Sequence, residues 1–302
     1  MSATAVAVGV FDGVHLGHVA ILERALRRAD GGPCVVVSFD PHPDVVLAKS
    51  FQAVAPLTPL PEKRARLAAL GISELIVLPF TRELAALEPE TFVDRHLVEP
   101  YGLRWLVVGE NFALGRARAG DVPRLRTIGG TRGFEVEAVP LLAIDGQPVT
   151  STRIRGLLGE GHVREAARLL GRAYDLTGTV VPGEAIGRTL GFPTANLRLN
   201  DDKLVPAHGI YAVWARIEGA TERIPAALSI GVRPTFGGQV RTIEAHLIDW
   251  TGELVARELT LEFVDWLRPE ERFDTREALI EAIGKDVAET RGRLGLPKAQ
   301  VP

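Results

Sequence analysis

A stretch near the amino terminus, Gly9 to His18, places two histidines among three glycines. His15 and His18 are three positions apart, so they share one face of the helical turn that follows. Their imidazoles can donate hydrogen bonds to phosphate oxygens. Glycines let the backbone turn tightly, and the amino end of a helix favours an anion. The stretch predicts a phosphate-binding loop; a glycine-rich turn with two surface histidines is the plainer alternative.

A second group of polar residues lies past the middle of the chain. Gly187 and Gly191 suit a flexible flap over a phosphate that Arg188 can reach. Thr194 and Asn196 are two apart, so their side chains project from one face of an extended segment. Such hard oxygens are ligands that Mg²⁺ accepts. A polar strand start explains each of these residues singly but not their order.

Hydroxyls and guanidiniums open a helical pattern at Thr150–Arg155. Ser151 and Thr152 supply the hydroxyls, and Arg153 and Arg155 supply forks that match phosphate oxygens in pairs. The segment predicts a second anion site. An N-cap followed by solvent-facing arginines is the alternative interpretation.

Other polar positions follow apolar runs or alternate with them. Phe39–Pro43 carries His42 in a loop stiffened by two prolines, and Asn111 follows the run that ends at Gly109. Glu244 alternates with apolar residues, so it lies on the opposite face of its strand from them. By pattern alone it is a solvated strand residue.

Two kinds of secondary-structure pattern position these residues. Up to about Leu170, apolar runs alternate with helical stretches, which is typical of a parallel α/β sheet whose ligands bind at the carboxyl ends of the strands. The predicted strands are Ala5–Val10, Cys34–Phe39, Leu75–Leu78, Leu106–Gly109 and Val136–Val139, and the predicted helices are His18–Ala29, Pro61–Leu70 and Glu90–Leu97.

Short β-type segments at regular spacing follow, with one long helix near the end. They predict a small antiparallel barrel, which leaves no open edge, and a packed terminal helix. The predicted strands are Leu176–Val181, Gly209–Ile217, Ile224–Ile230, Thr242–Ile248 and Leu259–Asp265, and the helix runs from about Thr275 to Leu294.

Length and composition narrow the function classes. At 302 residues the chain exceeds the usual domain size, so two domains are expected. A net charge of −3 with three tyrosines and four tryptophans argues against a nucleic-acid partner. The lone cysteine, Cys34, cannot form an internal disulfide, and no apolar run approaches the ~20 residues of a membrane span. We expect a cytoplasmic enzyme with small-molecule partners and no membrane association.

The residues also resemble a known family. Gly-x-Phe-Asp-Gly-x-His-x-Gly-His at Gly9–His18 resembles the nucleotidyltransferase loop of prokaryotic bifunctional riboflavin kinase/FAD synthetases, and Gly187–Asn196 is similar to their kinase signature. Segments at Phe39–Pro43, Gly109–Gly115 and Thr150–Arg155 follow in the family's order. The resemblance implies a Rossmann-like adenylyltransferase domain over residues 1–170 and a β-barrel riboflavin kinase domain over 171–302. Riboflavin, FMN, FAD, ATP and Mg²⁺ are then the expected ligands.

The resemblance also assigns roles to residues. Glu244 is implied as the catalytic base of the kinase, with His15 and His18 catalytic in the adenylyltransferase. The implied ATP-binding set of the adenylyltransferase is Gly9, Phe11, His15, Gly17, His18, Asn111, Ser151, Thr152, Arg153 and Arg155, and its implied flavin pocket is Phe39, His42 and Pro43. The implied kinase set is Gly187, Arg188, Gly191, Phe192, Pro193, Thr194, Asn196 and Glu244, with Thr194 and Asn196 on the metal.

The chain departs from the family pattern at a few positions. Leu114 replaces an aromatic residue, Ala185-Ile186 replaces a basic residue before Gly187-Arg188, and Val255-Ala256 replaces Tyr-Gly. Three alternatives stay open. The protein is an enzyme with only one active site, a non-catalytic sensor of flavin or nucleotide, or a nucleotidyltransferase that acts on another phosphate acceptor. The sequence does not fix the oligomeric state.

Overall fold

The computed structural model describes residues 4–47, 55–184, 186–200, 202–235 and 238–297. The chain divides into two compact units, Met1–Ser151 and Thr152–Pro302. Across the described residues, no helix has the length and apolar character needed to cross a bilayer.

The first unit alternates strands with helices, as the sequence pattern predicts. In chain order its elements are β1 Thr4–Val8, α1 Leu16–Ala29, β2 Cys34–Asp40, α2 Pro43–Leu47, α3 Leu60–Ala69, β3 Glu74–Pro79, α4 Arg82–Ala85, α5 Pro89–Val93, a π-helical turn Asp94–Val98, α6 Glu99–Tyr101, β4 Leu103–Gly109, β5 Ala113–Leu114, a 3₁₀ turn Arg116–Arg118, β6 Gly120–Asp121, α7 Val122–Arg132, β7 Glu135–Val139, β8 Ala143–Ile144 and β9 Gln147–Pro148.

The main sheet of this unit is parallel and has the strand order β3-β2-β1-β4-β7. The chain moves outward from β1 in one direction through β2 and β3, then returns to the other side of β1 with β4. The point where the order reverses therefore lies between β1 and β4. In open α/β sheets, ligands bind outside the carboxyl ends of the strands at such a point.

Both faces of this sheet are covered. Val6 and Val8 of β1 face one hydrophobic cluster, and Ala5 and Ala7 face the other, together with Cys34 at the start of β2. Burial on both faces explains why β1 is a continuous apolar run rather than an alternating one. This central position makes β1 a rigid support for the loop that follows it.

The second unit begins with two helices and closes into a barrel. Its elements are α8 Ser151–Gly159, which starts at the last residue of the first unit, then α9 Val163–Leu170, β10 Asp175–Val181, α10 Ile186–Thr189, β11 Ala195–Leu199, β12 Gly209–Ile217, β13 Ile224–Thr235, β14 Gly238–Leu247, β15 Glu258–Arg268 and α11 Arg276–Arg293. The six strands form a closed barrel of order β10-β11-β14-β13-β12-β15, in which each neighbouring pair is antiparallel.

Helix α11 packs against β12, β13 and β15. An ion pair fastens it: Nε and Nη2 of Arg268 donate to the two oxygens of Asp286, at 2.8 and 2.7 Å. The Asp286 carboxylate is buried, and a paired guanidinium is the partner that a buried carboxylate needs. This contact fixes the terminal helix on the barrel.

The predicted fold class, a parallel α/β domain followed by a small antiparallel barrel with a terminal helix, is confirmed. The differences are local. Helix α1 starts at Leu16 rather than His18, and the segment that carries Asn196 is a full strand, β11, of the barrel. The strands predicted from Ile224 and Thr242 are longer, forming a hairpin between Ile224 and Leu247.

Candidate active sites in the two units

The loop between β1 and α1 is held in a conformation that ordinary side chains avoid. Phe11 and Val14 have φ angles of +50° and +40°, and Gly13 has +89°. For a residue with a Cβ, this left-handed region costs about 1–2 kcal/mol. Surrounding contacts must therefore fix the loop, as is usual where backbone strain is found at functional sites.

Asp12 provides the first of these contacts. Its buried carboxylate accepts hydrogen bonds from the backbone amides of Leu57 and Thr58, at 3.0 Å each, and the Thr58 hydroxyl lies 3.3 Å away. The amide of Gly13 in turn donates to Thr58 Oγ1 at 2.7 Å. Sequence reasoning missed this role of Asp12, because its partners are about 45 residues away along the chain.

Lys63 provides a second contact that holds the loop. Its ammonium group donates to the carbonyl of Val10 at 2.8 Å, and the same carbonyl accepts from Ser38 Oγ at 2.9 Å. Burial lowers the pKa of Lys63, while the carboxylates of Asp12 and Asp40 act in the opposite direction. Lysine is rarely buried unless it is paired. The sequence did not predict this role of Lys63.

His15 begins the helix that the loop leads into. It is the N-cap of α1, and its Nδ1 accepts from the backbone amide of His18 at 3.2 Å. An imidazole nitrogen that accepts a hydrogen bond carries no proton, so a proton on the His15 ring is on Nε2, which can donate. Gly17 makes room here, since a Cβ at this position would lie 3.2 Å from the His15 ring and 3.3 Å from the carbonyl of Val149, both tighter than most Cβ contacts.

His18 stacks on His15, with ring centroids 3.6 Å apart, and meets the buried ring of Phe11 edge-on. Burial lowers the pKa of His18 well below its usual value, and the charges of His15 and Lys63 act in the same direction. Its Nδ1 is a buried polar atom with no hydrogen-bond partner among the described residues. Such an atom is costly unless a ligand satisfies it.

A cleft of about 660 Å³ opens at the predicted edge of the sheet. Five predicted residues from three separate segments line it: Gly9, Phe39, His42, Pro43 and Asn111. Three further aromatic rings, Phe80, Phe92 and Phe112, also line it and were not predicted. The volume and the aromatic lining fit a planar organic ligand.

Two details of this cleft bear on the sequence predictions. His42 Nδ1 accepts from the amide of Asp44 at 3.1 Å, which fixes the imidazole at the wall. Leu114, the residue that departs from the family's aromatic, is 7% exposed and packs in the core, close to Gly120, while still reaching the lining.

The predicted second anion segment lies at the start of α8. Ser151 Oγ donates to the carbonyl of Asp12 at 2.8 Å, so this hydroxyl contacts the phosphate loop within the first unit. Thr152, Arg153 and Arg155 follow on α8 as the first residues of the second unit. Their role in binding an anion stays a prediction.

In the barrel, β11 and β14 bring three predicted residues together. Asn196 is paired directly opposite Glu244 in the ladder. Thr194, just before β11, donates from its hydroxyl to Glu244 Oε2 at 3.4 Å. The three side chains therefore present a carboxylate, a hydroxyl and an amide at one place on the barrel.

Glycines allow these side chains to approach the preceding loop. A Cβ at Gly183 would lie 2.2 Å from Asn196 Nδ2, and one at Gly187 would lie 2.4 Å from the carbonyl of Phe192 and 3.3 Å from Thr194 Oγ1. No real Cβ tolerates the shorter contacts. Gly191 has a φ of +87°, so it too is a position for glycine.

A cleft of about 420 Å³ adjoins this cluster, and it is lined by Arg188, Pro193, Thr194 and Asn196. Phe192 meets the ring of His246 edge-on, and a His246 nitrogen lies 2.8 Å from the carbonyl of Pro193. These contacts hold the segment before β11 against β14.

The remaining departures from the family pattern are local. Ala185 and the side chain of Ile186 lie outside the described residues. Ala256 has a φ of +66° in a turn, and its amide donates to the carbonyl of Val180 at 2.9 Å. The turn that replaces Tyr-Gly is therefore tied to the first strand of the barrel.

An anion-binding loop at the switch point of a parallel sheet, and a carboxylate with hydroxyl and amide neighbours on a barrel, are features of a nucleotide-dependent transferase with two candidate sites. Residues 1–153 match the family model for FAD synthetase, and residues 170–294 match the family model for riboflavin kinase. The bifunctional riboflavin kinase/FMN adenylyltransferase of Listeria monocytogenes is 39% identical over 94% of this chain and 90% of its own. The bifunctional riboflavin kinase/FMN adenylyltransferase of Pseudomonas fluorescens is 40% identical over 97% of this chain and 93% of its own.

A crystal structure described as a macrolide-efflux protein from Streptococcus pneumoniae is also similar, with a TM-score of 0.88 and 29% identity over 96% of this chain and 95% of that one. The chain belongs to the family of bifunctional riboflavin kinase/FMN adenylyltransferases. It phosphorylates riboflavin to FMN with ATP, and it joins FMN to the AMP portion of ATP to form FAD. The family predicted from the sequence is confirmed.

Proposed function

We propose that Glu244, Thr194 and Asn196 form the catalytic centre of the riboflavin kinase. The observation that supports this best is their convergence, with the Thr194 hydroxyl 3.4 Å from Glu244 Oε2 and Asn196 opposite Glu244 in the ladder. Glu244 accepts the proton of the riboflavin 5′-hydroxyl as its oxygen attacks the γ-phosphorus of ATP. The bond between this phosphorus and the bridging oxygen breaks, and ADP leaves with the electron pair.

The donor set beside Glu244 fits Mg²⁺. Thr194 and Asn196 supply hard, uncharged oxygens, and Mg²⁺ is usually held by few protein ligands together with substrate phosphates and water. Within the described residues, no group of three or more His, Cys, Asp or Glu side chains is arranged to hold a metal, which agrees with an ion that arrives with the nucleotide. When bound, Mg²⁺ neutralises charge on the phosphates. Thr194 and Asn196 then orient the nucleotide, while Gly187, Arg188 and Gly191 cover its phosphates and Phe192 and Pro193 shape the wall.

For the adenylyltransferase, we assign the triphosphate of ATP to the loop between β1 and α1. The buried Nδ1 of His18, which has no hydrogen-bond partner among the described residues, supports this assignment, because a neutral imidazole with its proton on Nδ1 can donate to a phosphate oxygen. His15 donates from Nε2, and the amides at the start of α1 face the same anion. Gly9, Phe11 and Gly17 let the loop approach the phosphates or hold the histidines in place.

The cleft of about 660 Å³ then holds planar rings of the substrates, with Phe39, His42 and Pro43 against the flavin and Asn111 bonding the nucleotide. No protein nucleophile is needed. A phosphate oxygen of FMN attacks the α-phosphorus of ATP, the bond to the β-phosphate oxygen breaks, and pyrophosphate leaves. Arg153 and Arg155 neutralise charge on the phosphates, Thr152 donates a hydrogen bond to them, and Ser151 acts from the position that its bond to the carbonyl of Asp12 fixes.

We place the functional boundary between residues 170 and 171, with the adenylyltransferase before it and the kinase after it. The match of the kinase model from residue 170 supports this position. We also propose that the enzyme works in the cytoplasm. A lone, buried cysteine suits a reducing compartment, in which structural disulfides are rare.

Two single substitutions test the assignment of residues to the two reactions. His15→Ala should abolish FAD formation from FMN and ATP while FMN formation from riboflavin survives. Glu244→Gln should abolish FMN formation while FAD formation from supplied FMN survives. Chromatography of the flavins measures both. Loss of both products in either folded variant would refute the two-site assignment.

A further inference from the structure

We infer that Arg233 is a kinase-site residue that binds the γ-phosphate of ATP. The inference rests on the proposed roles of Glu244 and Thr194. Arg233 lies in β13, beyond the position where Ser229 pairs with Glu244 in the ladder between β13 and β14.

One guanidinium contacts two carboxylates from different segments. Nη1 of Arg233 donates to Glu184 Oε1 at 2.7 Å, and Nη2 lies 3.5 Å from Glu244 Oε1. Glu184 follows β10, whereas Glu244 lies in β14. The first contact is a charge-assisted hydrogen bond, and the second is at the limit of hydrogen-bond length. Arg233 is therefore fastened to Glu184 and only loosely held by Glu244.

The charges of the site require a cation at this position. The γ-phosphate must come close to Glu244, because the hydroxyl that attacks it gives its proton to that carboxylate. Two unit charges of like sign at 4 Å repel by about 4 kcal/mol near a protein surface. Glu184 adds a second carboxylate. A guanidinium between them offsets this repulsion, and its fork matches two phosphate oxygens.

The free state leaves Arg233 ready to change partner. Its side chain is 42% exposed, and Glu244 holds it by the long contact alone, so turning Nη2 towards a phosphate oxygen gives up little. Thr194, which we assign to the same nucleotide, is on the other oxygen of Glu244. The Thr194 hydroxyl and the Arg233 guanidinium therefore contact the same carboxylate, each within 3.5 Å, so a phosphate group held beside Glu244 has both within reach.

The test compares nucleotides that differ by the γ-phosphate. Binding of MgADP and of the Mg²⁺ complex of the non-hydrolysable analogue AMP-PNP is measured by calorimetry on the full chain. In Arg233→Met we expect affinity for AMP-PNP to fall about 10-fold or more, affinity for ADP to change less than about twofold, and kcat for FMN formation to fall about 100-fold or more, since an arginine on a transferring phosphoryl group contributes at least that much. Arg233→Lys, which keeps the charge but loses the fork, should lie between.

Two controls separate phosphate binding from a structural tie. FAD formation from supplied FMN should be unchanged in Arg233→Met. Glu184→Gln removes the firm partner of Arg233 and should bind AMP-PNP at least as tightly as the wild type. Equal loss of ADP and AMP-PNP affinity in Arg233→Met, or a matching loss in Glu184→Gln, would overturn the inference. If Glu244→Gln still forms FMN, the proposed base fails, whereas the difference between the two nucleotides would still report on Arg233.

Discussion

Replacing Asp12 tests whether the strained phosphate loop depends on its clamp. In Asp12→Asn, the Oδ1 oxygen can still accept from the amides of Leu57 and Thr58, but the negative charge is lost, and an NH₂ group replaces the second oxygen, which lies 3.1 Å from the amide of Leu57. Two donors then face each other in a buried place. A hydrogen bond to a charged acceptor contributes about 1.5–3 kcal/mol, so we expect the free energy of unfolding of the first unit to fall by about 2–3 kcal/mol.

The effect on catalysis should exceed the effect on stability. A loop that shifts by about 1 Å misplaces His15 and His18, which can cost about 100-fold in rate. We expect kcat for FAD formation from FMN and ATP to fall by that order, and the melting temperature of the first unit to fall by about 5–10 °C. FMN formation from riboflavin, which takes place in the other unit, should not change.

Asp30→Asn is the matched control for the same exchange. Asp30 is exposed at the end of α1 with a φ of +44°, a conformation that asparagine also tolerates. This variant should keep both activities and the wild-type melting temperature. If Asp12→Asn forms FAD within about twofold of the wild type, the loop keeps its geometry without the clamp, and the reasoning from strain is wrong.

Three further predictions use positions where the structure leaves little freedom. Gly17→Ala should lower FAD formation alone, because the added Cβ crowds the His15 ring at 3.2 Å; kinetics with FMN and ATP measure this. Gly183→Ala should lower FMN formation alone, because its Cβ would lie 2.2 Å from Asn196 Nδ2. Kinetics with riboflavin and ATP measure this, and a rate equal to that of the wild type would contradict it. Burial raises the pKa of the Cys34 thiol to about 11, so below that pH it stays protonated; labelling by a thiol reagent at pH 8 should be slow in the folded protein, speed up on unfolding, and show no burst.

The sequence predicted most of what local pattern controls. The apolar run of β1 and the alternation around Glu244 were sufficient to place a central strand and a barrel strand with the correct faces. The start of α1 was missed by two residues because histidine is an unusual N-cap, and here His15 takes the place of a serine or aspartate. The extended segment predicted at Thr194 and Asn196 is confirmed as β11, but its extent to Leu199 and its pairing with β14 were not predicted, because the strand is only five residues long and its partner lies about 50 residues away in the sequence.

The parts of the site that could not be predicted depend on contacts between distant segments. Lys63 reads as an ordinary charged residue in an amphipathic helix, and only the fold carries its ammonium group to the carbonyl of Val10. Likewise, Arg233 lies in a segment, residues 230–236, that fits the kinase module, but its role could not be predicted, since its partner Glu184 is 49 residues away in the sequence. Motifs locate side chains that contact substrate, whereas the groups that support them are set by tertiary geometry.

The two sites share one physical solution although their folds differ. In each, a glycine lies beside a polar side chain assigned to the substrate: a Cβ at Gly17 would crowd His15 at 3.2 Å, and one at Gly183 would clash with Asn196 at 2.2 Å. Removing the Cβ lets backbone and functional group occupy adjacent space, so the side chain is held by contact on one side and stays open to the ligand on the other. Such close packing restricts the rotamers of the side chain before the ligand binds, and this lowers the entropy lost on binding. The glycines therefore act on substrate positioning, which is why their substitution should affect one reaction and spare the other.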